Sequence, residues 1–112
     1  RQNQSYVISV RDRIEADEEL KNKSANTLKQ EQIPGITLEE RLVYELKYFL
    51  ETGKHLDHSN ITLCSGSYIL YGDRTFIPEV SWNDSEKEKK LGIFLATPDT
   101  FFEKLRSREI IA

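Results

Sequence analysis

Apolar residues recur every three or four positions between residues 37 and 53, which is the spacing of an amphipathic helix. Thr37 and Glu40 have the spacing of a capping box, in which each side chain binds the other residue's backbone N–H. Gly53 can adopt the left-handed conformation that ends a helix. We therefore predict a helix over residues 37–52 whose apolar stripe faces the core; the stripe comprises Leu38, Leu42, Val43, Leu46, Phe49 and Leu50.

From residue 61 onward, apolar and polar positions alternate, as they do in strands with one buried face. We predict strands over residues 61–64, 67–71, 75–83 and 91–97, with a bulge at Gly66. Tyr71-Gly72-Asp73-Arg74 has the glycine that a tight hairpin turn requires. Pro78 has no N–H to donate to a ladder, so its strand is expected at a sheet edge or beside a bulge. Residues 101–106 are expected to form a helical turn, and residues 109–112 to dock as a further strand.

These elements predict an α+β fold, in which an antiparallel β-meander of three to four strands packs against the helix over 37–52. Residues 6–10 are strand-like, whereas residues 10–30 are charged and have a helix-favouring composition. Between residues 11 and 32, Ile14, Leu20 and Leu28 are the only sizeable apolar residues. Because so thin a stripe buries little surface, we expect a helix there that a partner helps to order. The sequence thus divides into a charged, partly helical N-terminal segment, 1–36, and a compact α+β domain, 37–112.

The chain has 112 residues, which is about one ordinary domain. Its net charge is −3 with both signs interspersed, so it has no basic stripe that could neutralise a series of phosphates. Nucleic-acid binding is therefore disfavoured. No apolar run approaches the ~20 residues that span a bilayer. Since the sequence begins at Arg1 rather than Met, we expect a trimmed N-terminus, and the lack of a signal peptide decides nothing.

The cysteine and asparagine content point to different compartments. Cys64 is the only cysteine, so no disulfide can staple the chain, which slightly favours the cytoplasm. Four of the five asparagines lie in N-x-S/T sequons, which leaves an extracellular, glycosylated protein open. The alternative is that turns and caps favour asparagine and serine for their hydrogen bonds. The possible glycosylation sites are Asn3, Asn22, Asn60 and Asn83.

One cluster has residue types that carry chemistry: His55, Asp57, His58 and Cys64. The two histidines and Cys64 are weak candidates for a metal site, because zinc needs three or four such ligands. Cys64 or Ser65 could also act as a nucleophile with a histidine base. The alternative is a polar loop in which the histidines interact with the end of the helix and Cys64 is a small buried apolar residue. We expect no bound cofactor.

The favoured hypothesis is a small non-catalytic interaction module that works through protein–protein contacts, with a protein partner or as a homo-oligomer. A small metal-dependent or hydrolytic enzyme using His55, His58 and Cys64 is the alternative. Tyrosine and arginine are enriched in interface hot spots, and Tyr44 and Tyr48 lie four residues apart on the predicted helix. The candidate interface residues are Arg41, Tyr44, Tyr48, Ile14 and Leu20.

Overall fold

The computed structural model describes residues 6–85, 87 and 89–111. These residues form a mixed five-stranded sheet, one long helix and two short helical segments, which confirms the α+β class. A 3₁₀ turn at Glu18–Leu20 comes first. Helices α1 (Ala25–Gln30) and α2 (Leu38–Thr52) follow, and then strands β1 (Ile61–Leu63), β2 (Ile69–Tyr71), β3 (Arg74–Asp84), β4 (Lys89–Ala96) and β5 (Leu105–Ser107).

Helix α2 begins and ends where the sequence predicts. The Thr37 hydroxyl accepts a hydrogen bond from the Glu40 N–H at 3.1 Å, and the Thr37 N–H donates to the Glu40 carboxylate at 2.9 Å. Gly53 follows the helix with a φ of 73°, and its N–H donates to the Phe49 carbonyl at 2.8 Å. Because a β-carbon disfavours that conformation, glycine is the residue that ends the helix at this point.

Strand β3 is the centre of the sheet, because Val80 pairs with Thr62 of β1 on one side and with Ile93 of β4 on the other. Its first residues form a hairpin with β2, and Gly72 in the turn has a φ of 64°. Pro78 lies opposite the irregular residues 64–68, which separate β1 from β2. The pairing partner of β3 is interrupted there by five residues, and the alternative of an edge position for this strand is wrong.

The pure antiparallel meander is wrong, because β5 pairs in parallel with β1, with Leu105 opposite Ile61. The helical turn predicted over residues 101–106 is also wrong, since β5 begins within it. A parallel pair needs a long crossover. Here residues 64–104, which include β2, β3 and β4, provide it. Of the C-terminal residues 109–112, Glu109 forms a single bridge with Gly35, and Ala112 lies outside the described residues.

The N-terminal segment is not the helix predicted over residues 10–30. Residues 6–17 are neither helix nor strand, and α1 is a helix of six residues. The charged side chains form tertiary ion pairs instead; Arg11, for example, binds Asp17 at 2.8 Å and Glu109 at 3.0 Å. Leu20 and Leu28 are buried in the core of this same chain. These two leucines therefore anchor the segment to the core of its own chain.

The part of the sheet formed by β1, β5 and the middle of β3 is covered on both faces. On one face, Leu20 and Leu28 pack in a buried cluster with Leu63, Ile77 and Leu105. Successive residues of a strand point to opposite faces, so Thr62, next to Leu63, points to the other side. Helix α2 lies there, because its Arg41 contacts the Thr62 hydroxyl. The two faces differ in chemistry: the first has an aliphatic core, and the second has a polar one.

Candidate functional site

Helix α2 faces the sheet with charged side chains. Arg41 and Glu45 are both buried, and they lie four residues apart on the same side of the helix. The Arg41 guanidinium donates to the Glu45 carboxylate at 3.0 Å and to the Asp57 carboxylate at 3.0 Å. It also donates to the Thr62 hydroxyl at 3.2 Å. Ion pairs and hydrogen bonds, rather than an apolar stripe, therefore hold α2 on the sheet.

Asp57 is the centre of this polar core. Its buried carboxylate accepts hydrogen bonds from Arg41, from Arg108 at 3.0 Å and from the Ala16 N–H at 2.8 Å. The Thr62 hydroxyl also donates to it. Asp57 has a φ of 57°, which aspartate tolerates better than most residues. The aspartate therefore suits this position both by its conformation and by its charge.

Arg108 joins the C-terminal end of the sheet to the N-terminal segment. Its guanidinium donates to the carbonyls of Arg13 at 2.9 Å and Ile14 at 3.0 Å. The Tyr44 ring of α2 lies 5.3 Å from the guanidinium carbon, within the range of a cation–π contact. Burial raises the pKa of the Tyr44 hydroxyl. The Tyr44 ring thus packs on the Arg108 guanidinium at one side of the helix.

The polar core is balanced in charge. Two guanidinium groups, of Arg41 and Arg108, face the carboxylates of Asp57 and Glu45. A buried ion of this kind is tolerated only when it is paired and hydrogen-bonded, and each of these four groups is. A balanced, enclosed cluster leaves no free charge to bind a ligand. Its geometry indicates that it positions α2 on the sheet.

Helix α2 presents its apolar side to solvent. Three residues at heptad spacing are widely exposed: Val43 at 66%, Leu46 at 59% and Leu50 at 74%. We call these three residues the outer seam. The expectation that the stripe faces the core is therefore wrong. The physical reason lies in the sheet beneath, where Thr62 and Arg108 present polar groups that only a polar helix face can satisfy.

Phe49 belongs to the same stripe but has a partner. The His55 ring is stacked between the rings of Phe49 and Trp82, with centroid distances of 4.7 Å and 3.5 Å. The His55 Nδ1 lies 2.8 Å from the Glu45 carboxylate. This stack connects the last turn of α2 to the end of β3. Aromatic contacts of this kind add stability beyond simple burial.

Strand β4 also exposes apolar side chains. Ile93 is 48% exposed, Phe94 61% and Leu95 52%. Because adjacent residues of a strand point to opposite faces, β4 is apolar and open to solvent on both. Single exposed apolar residues are ordinary, whereas contiguous ones mark interaction sites. The outer seam and β4 are therefore two candidate contact surfaces, and the exposed residues from Tyr68 to Tyr71 around β2 form another.

The structure does not assemble the predicted metal or nucleophile site. Cys64 is fully buried, and burial raises the pKa of its thiol to about 12. His55 is held in its stack, and the His58 Nε2 lies 2.8 Å from the His55 carbonyl. Among residues 6–85, 87 and 89–111, no three His, Cys, Asp or Glu side chains are grouped as metal ligands would be.

The predicted interface residues lie in different environments. Arg41 and Leu20 are buried within this chain, so neither presents a surface to another molecule here. Ile14 is exposed at the edge of the N-terminal segment. Tyr44 and Tyr48 are partly buried on one flank of α2, and their rings meet edge to face at 6.3 Å. The hydrophobic spacing predicted that the outer seam would face the core. Interface candidates chosen by residue type, such as tyrosine and arginine, therefore did not include it.

The sequons also differ in their surroundings. Asn22 and Asn83 are exposed, and Asn22 has a φ of 63°. The Asn60 side-chain amide is partly buried and donates to the Glu15 carboxylate at 3.0 Å, so it is already engaged in the fold. Asn3 lies outside the described residues. Exposure alone leaves glycosylation at Asn22 and Asn83 a prediction.

Comparison with known proteins adds no relative. No protein-family model, curated protein or solved structure matches this chain. None of the helices in the described part of the chain has the length and apolar character needed to cross a membrane. The function is therefore inferred from the surfaces of this molecule alone.

Proposed function

We propose that this protein is a small non-catalytic binding module whose outer seam contacts a helix of another protein. The observation that carries the proposal is the orientation of α2. Its charged side is paired inside the fold, while Val43, Leu46 and Leu50 are more than half exposed. Removing such an apolar surface from water lowers the free energy by about 25 cal/mol for each Å² that is buried.

The spacing of the seam favours a helical partner. Its residues lie at i, i+3 and i+7, which is the pattern by which a helix face is read by another helix or a groove. Interlocking of such ridges brings two helix axes to about 8–10 Å. Helix α2 has 15 residues. At about 3.6 residues per turn, it offers about four turns for such packing.

Two neighbouring features support a bound helix at this position. Lys47 and Glu51, which border the seam, form an exposed ion pair at 2.8 Å, so the apolar strip has a polar rim. On the same border, a groove of about 650 Å³ lies between the N-terminal segment and α2, and Lys47 is one of its lining residues. Ile8, Val10 and Val43 are among its lining residues. Larger side chains of the partner helix would fit there.

Photo-crosslinking tests the proposal. A benzophenone amino acid replaces Leu46 in one version of the protein, and replaces Asp73, in the exposed hairpin turn, in a matched control. Each is irradiated in an extract of the source cells. We expect one reproducible protein adduct from position 46 and none from position 73. The adduct should disappear when Val43→Lys and Leu50→Lys are added, because two charges then replace the apolar strip.

Two results would contradict the proposal. One is an adduct that survives the two lysine substitutions, since the contact would then lie elsewhere. The other is an absence of any adduct at position 46 while the irradiated protein remains folded by circular dichroism. The Lys47→Gln variant is the control for the charge change, because it alters the rim and leaves the apolar strip intact.

A further inference from the structure

Strand β4 forms one edge of the sheet. Within residues 6–85, 87 and 89–111, it pairs with β3 along one side and with no strand along the other. An unpaired edge presents backbone N–H and C=O groups that can pair with another chain. The residues of β4 that carry these groups follow from its pairing with β3.

The register identifies the open backbone groups. The Pro78 carbonyl accepts from the Cys64 N–H at 2.8 Å, so the backbone of Pro78 points towards β1. Backbone groups alternate in direction along a strand, so those of Glu79 point towards β4. Glu79 pairs with Phe94, whose groups therefore point back to β3. By the same alternation, Leu91, Ile93 and Leu95 direct their N–H and C=O groups to the open edge.

This edge lacks the usual protection. Natural edge strands carry lysine, proline or a bulge, or are very short. Strand β4 has eight residues and pairs with β3 without a bulge from Lys89 to Ala96. Its lysines are confined to its first two positions, and residues 91–96 carry no charge. The part of the edge that exposes open backbone groups is thus also its apolar part.

We propose that β4 pairs antiparallel with β4 of a second copy of this chain, with Ile93 on the two-fold axis. In this register the three outward residues of one copy face those of the other: Ile93 faces Ile93, and Leu91 faces Leu95. The pairing forms about six main-chain hydrogen bonds, two for each of three facing pairs. It extends the five-stranded sheet of each copy into one continuous sheet.

The side chains of β4 are complementary to themselves in this arrangement. Phe94 of one copy faces Gly92 of the other, so the large ring lies beside the residue with no side chain. The Phe94 ring of the same chain already covers Gly92, since a β-carbon added there would come within 2.8 Å of it, so in the dimer the two Phe94 rings would each cover the Gly92 of their own chain and pack beside each other. An isologous interface requires such self-complementarity, because the same surface serves both partners.

Charge also favours a second copy in this orientation. Antiparallel pairing places the two lysine-bearing ends of β4 at opposite ends of the interface, so the lysines of the two copies stay apart. In this register Lys87 of one copy lies towards the exposed Asp99 of the other, while Glu86 and Glu88 alternate with the lysines in the sequence. The antiparallel orientation therefore avoids contact between like charges, which a parallel one would bring together.

Cysteine crosslinking combined with sedimentation tests the register. Facing residues of a hydrogen-bonded antiparallel pair have Cα atoms about 5.5 Å apart, within the range that a disulfide bridges. We expect Ile93→Cys to form a disulfide-linked dimer under mild oxidation. Leu95→Cys is the matched control, because it faces Leu91 of the other copy and has no thiol opposite. The double variant Leu91→Cys and Leu95→Cys should link again. Cys64 does not interfere, since it is buried.

Sedimentation velocity gives the second measurement. We expect the unmodified chain to form a dimer as its concentration rises, and Ile93→Lys to remain monomeric because two charges would meet on the axis. Ile93→Pro should also remain monomeric, and it should stay folded because its lost N–H is not part of the β3 ladder. Leu46→Lys should leave the dimer intact, which separates this inference from the contact proposed for α2.

Three outcomes would overturn the inference. One is a chain that sediments as a monomer at all concentrations while Ile93→Cys fails to crosslink. Another is a Leu95→Cys variant that links as readily as Ile93→Cys, since the register would then be different. The third is a dimer that Leu46→Lys abolishes and Ile93→Lys leaves intact, which would move the interface from β4 to α2.

Discussion

The two sides of helix α2 lie in opposite environments: the charged side is buried and the apolar side is exposed to solvent. On the inner side, Arg41 and Glu45 are removed from water and paired, together with Asp57, inside the fold. On the outer side, Val43, Leu46 and Leu50 remain in water. Hydrophobic spacing identifies two faces of a helix. Which face is buried depends on the chemistry of the surface that the helix covers, and here that surface is polar.

The largest effect is expected from removing the charge at the centre of the inner side. Asp57→Asn keeps the shape of the side chain and tolerates the left-handed backbone, but leaves Arg41 and Arg108 without their shared carboxylate. Breaking a buried ion pair in this way costs about 3–5 kcal/mol in the free energy of unfolding. Urea denaturation measures this.

Asp73→Asn, in the exposed hairpin turn, is the matched control for Asp57→Asn and should change the free energy of unfolding by less than about 0.5 kcal/mol. Similar losses for the two variants would mean that the inner side of α2 is not the support that its contacts indicate.

The aliphatic core on the other face of the sheet provides a second reference. Leu105 is fully buried among Leu20, Leu28 and Leu63. Leu105→Ala should cost about 2–5 kcal/mol through lost transfer free energy and the cavity that remains. Urea denaturation of this variant should therefore show a clear shift of the midpoint at an unchanged slope. An unshifted midpoint would remove the distinction between buried and exposed leucines.

A smaller, pH-dependent effect is expected at Glu79. Burial raises its pKa from the ordinary value of 4.5, and its neighbours across the sheet are Leu63 and Phe94. The folded state therefore holds the proton at a pH where the unfolded state has released it. Stability from this group is present at low pH and is lost as pH rises through the raised pKa.

Glu79→Gln should accordingly melt at a higher temperature than the unmodified protein at pH 7. The difference should vanish near pH 4 and below, where Glu79 is protonated in the folded state. Thermal melts across this range provide the measurement. A difference that is constant with pH, or that reverses in sign, would contradict the assignment of a partly buried carboxyl with a raised pKa at this position.

Local signals predicted the local structure well. The capping box at Thr37, the helix end at Gly53 and the turn at Gly72 depend on neighbouring residues, and sequence contains these directly. The parallel pairing of β5 with β1 could not be predicted in this way. It joins residues more than 40 positions apart, and no local pattern records a crossover of that length.

The candidate surface was hidden for a related reason. The outer seam has the spacing of a core-facing stripe, and only the position of Asp57 and Arg108 in space shows that the other side is buried. One local signal was present, since Arg41 and Glu45 have the i, i+4 spacing of an ion pair. Such pairs usually lie on exposed faces, so the signal favoured the wrong orientation. The non-helical N-terminal segment was missed because Arg11 and Arg13 bind carboxylates six residues away, outside helical spacing, and Arg11 also binds the distant Glu109.

The most direct test of the central claim is the stability of Leu46→Lys in urea at low protein concentration. Lysine has nearly the helix propensity of leucine, so the substitution changes the polarity of the side chain with little effect on the helix itself. If Leu46 faces solvent, the free energy of unfolding should change by less than about 0.5 kcal/mol. A loss of several kcal/mol, comparable to that of Leu105→Ala, would place Leu46 in the core and contradict the outward orientation of the apolar side of α2.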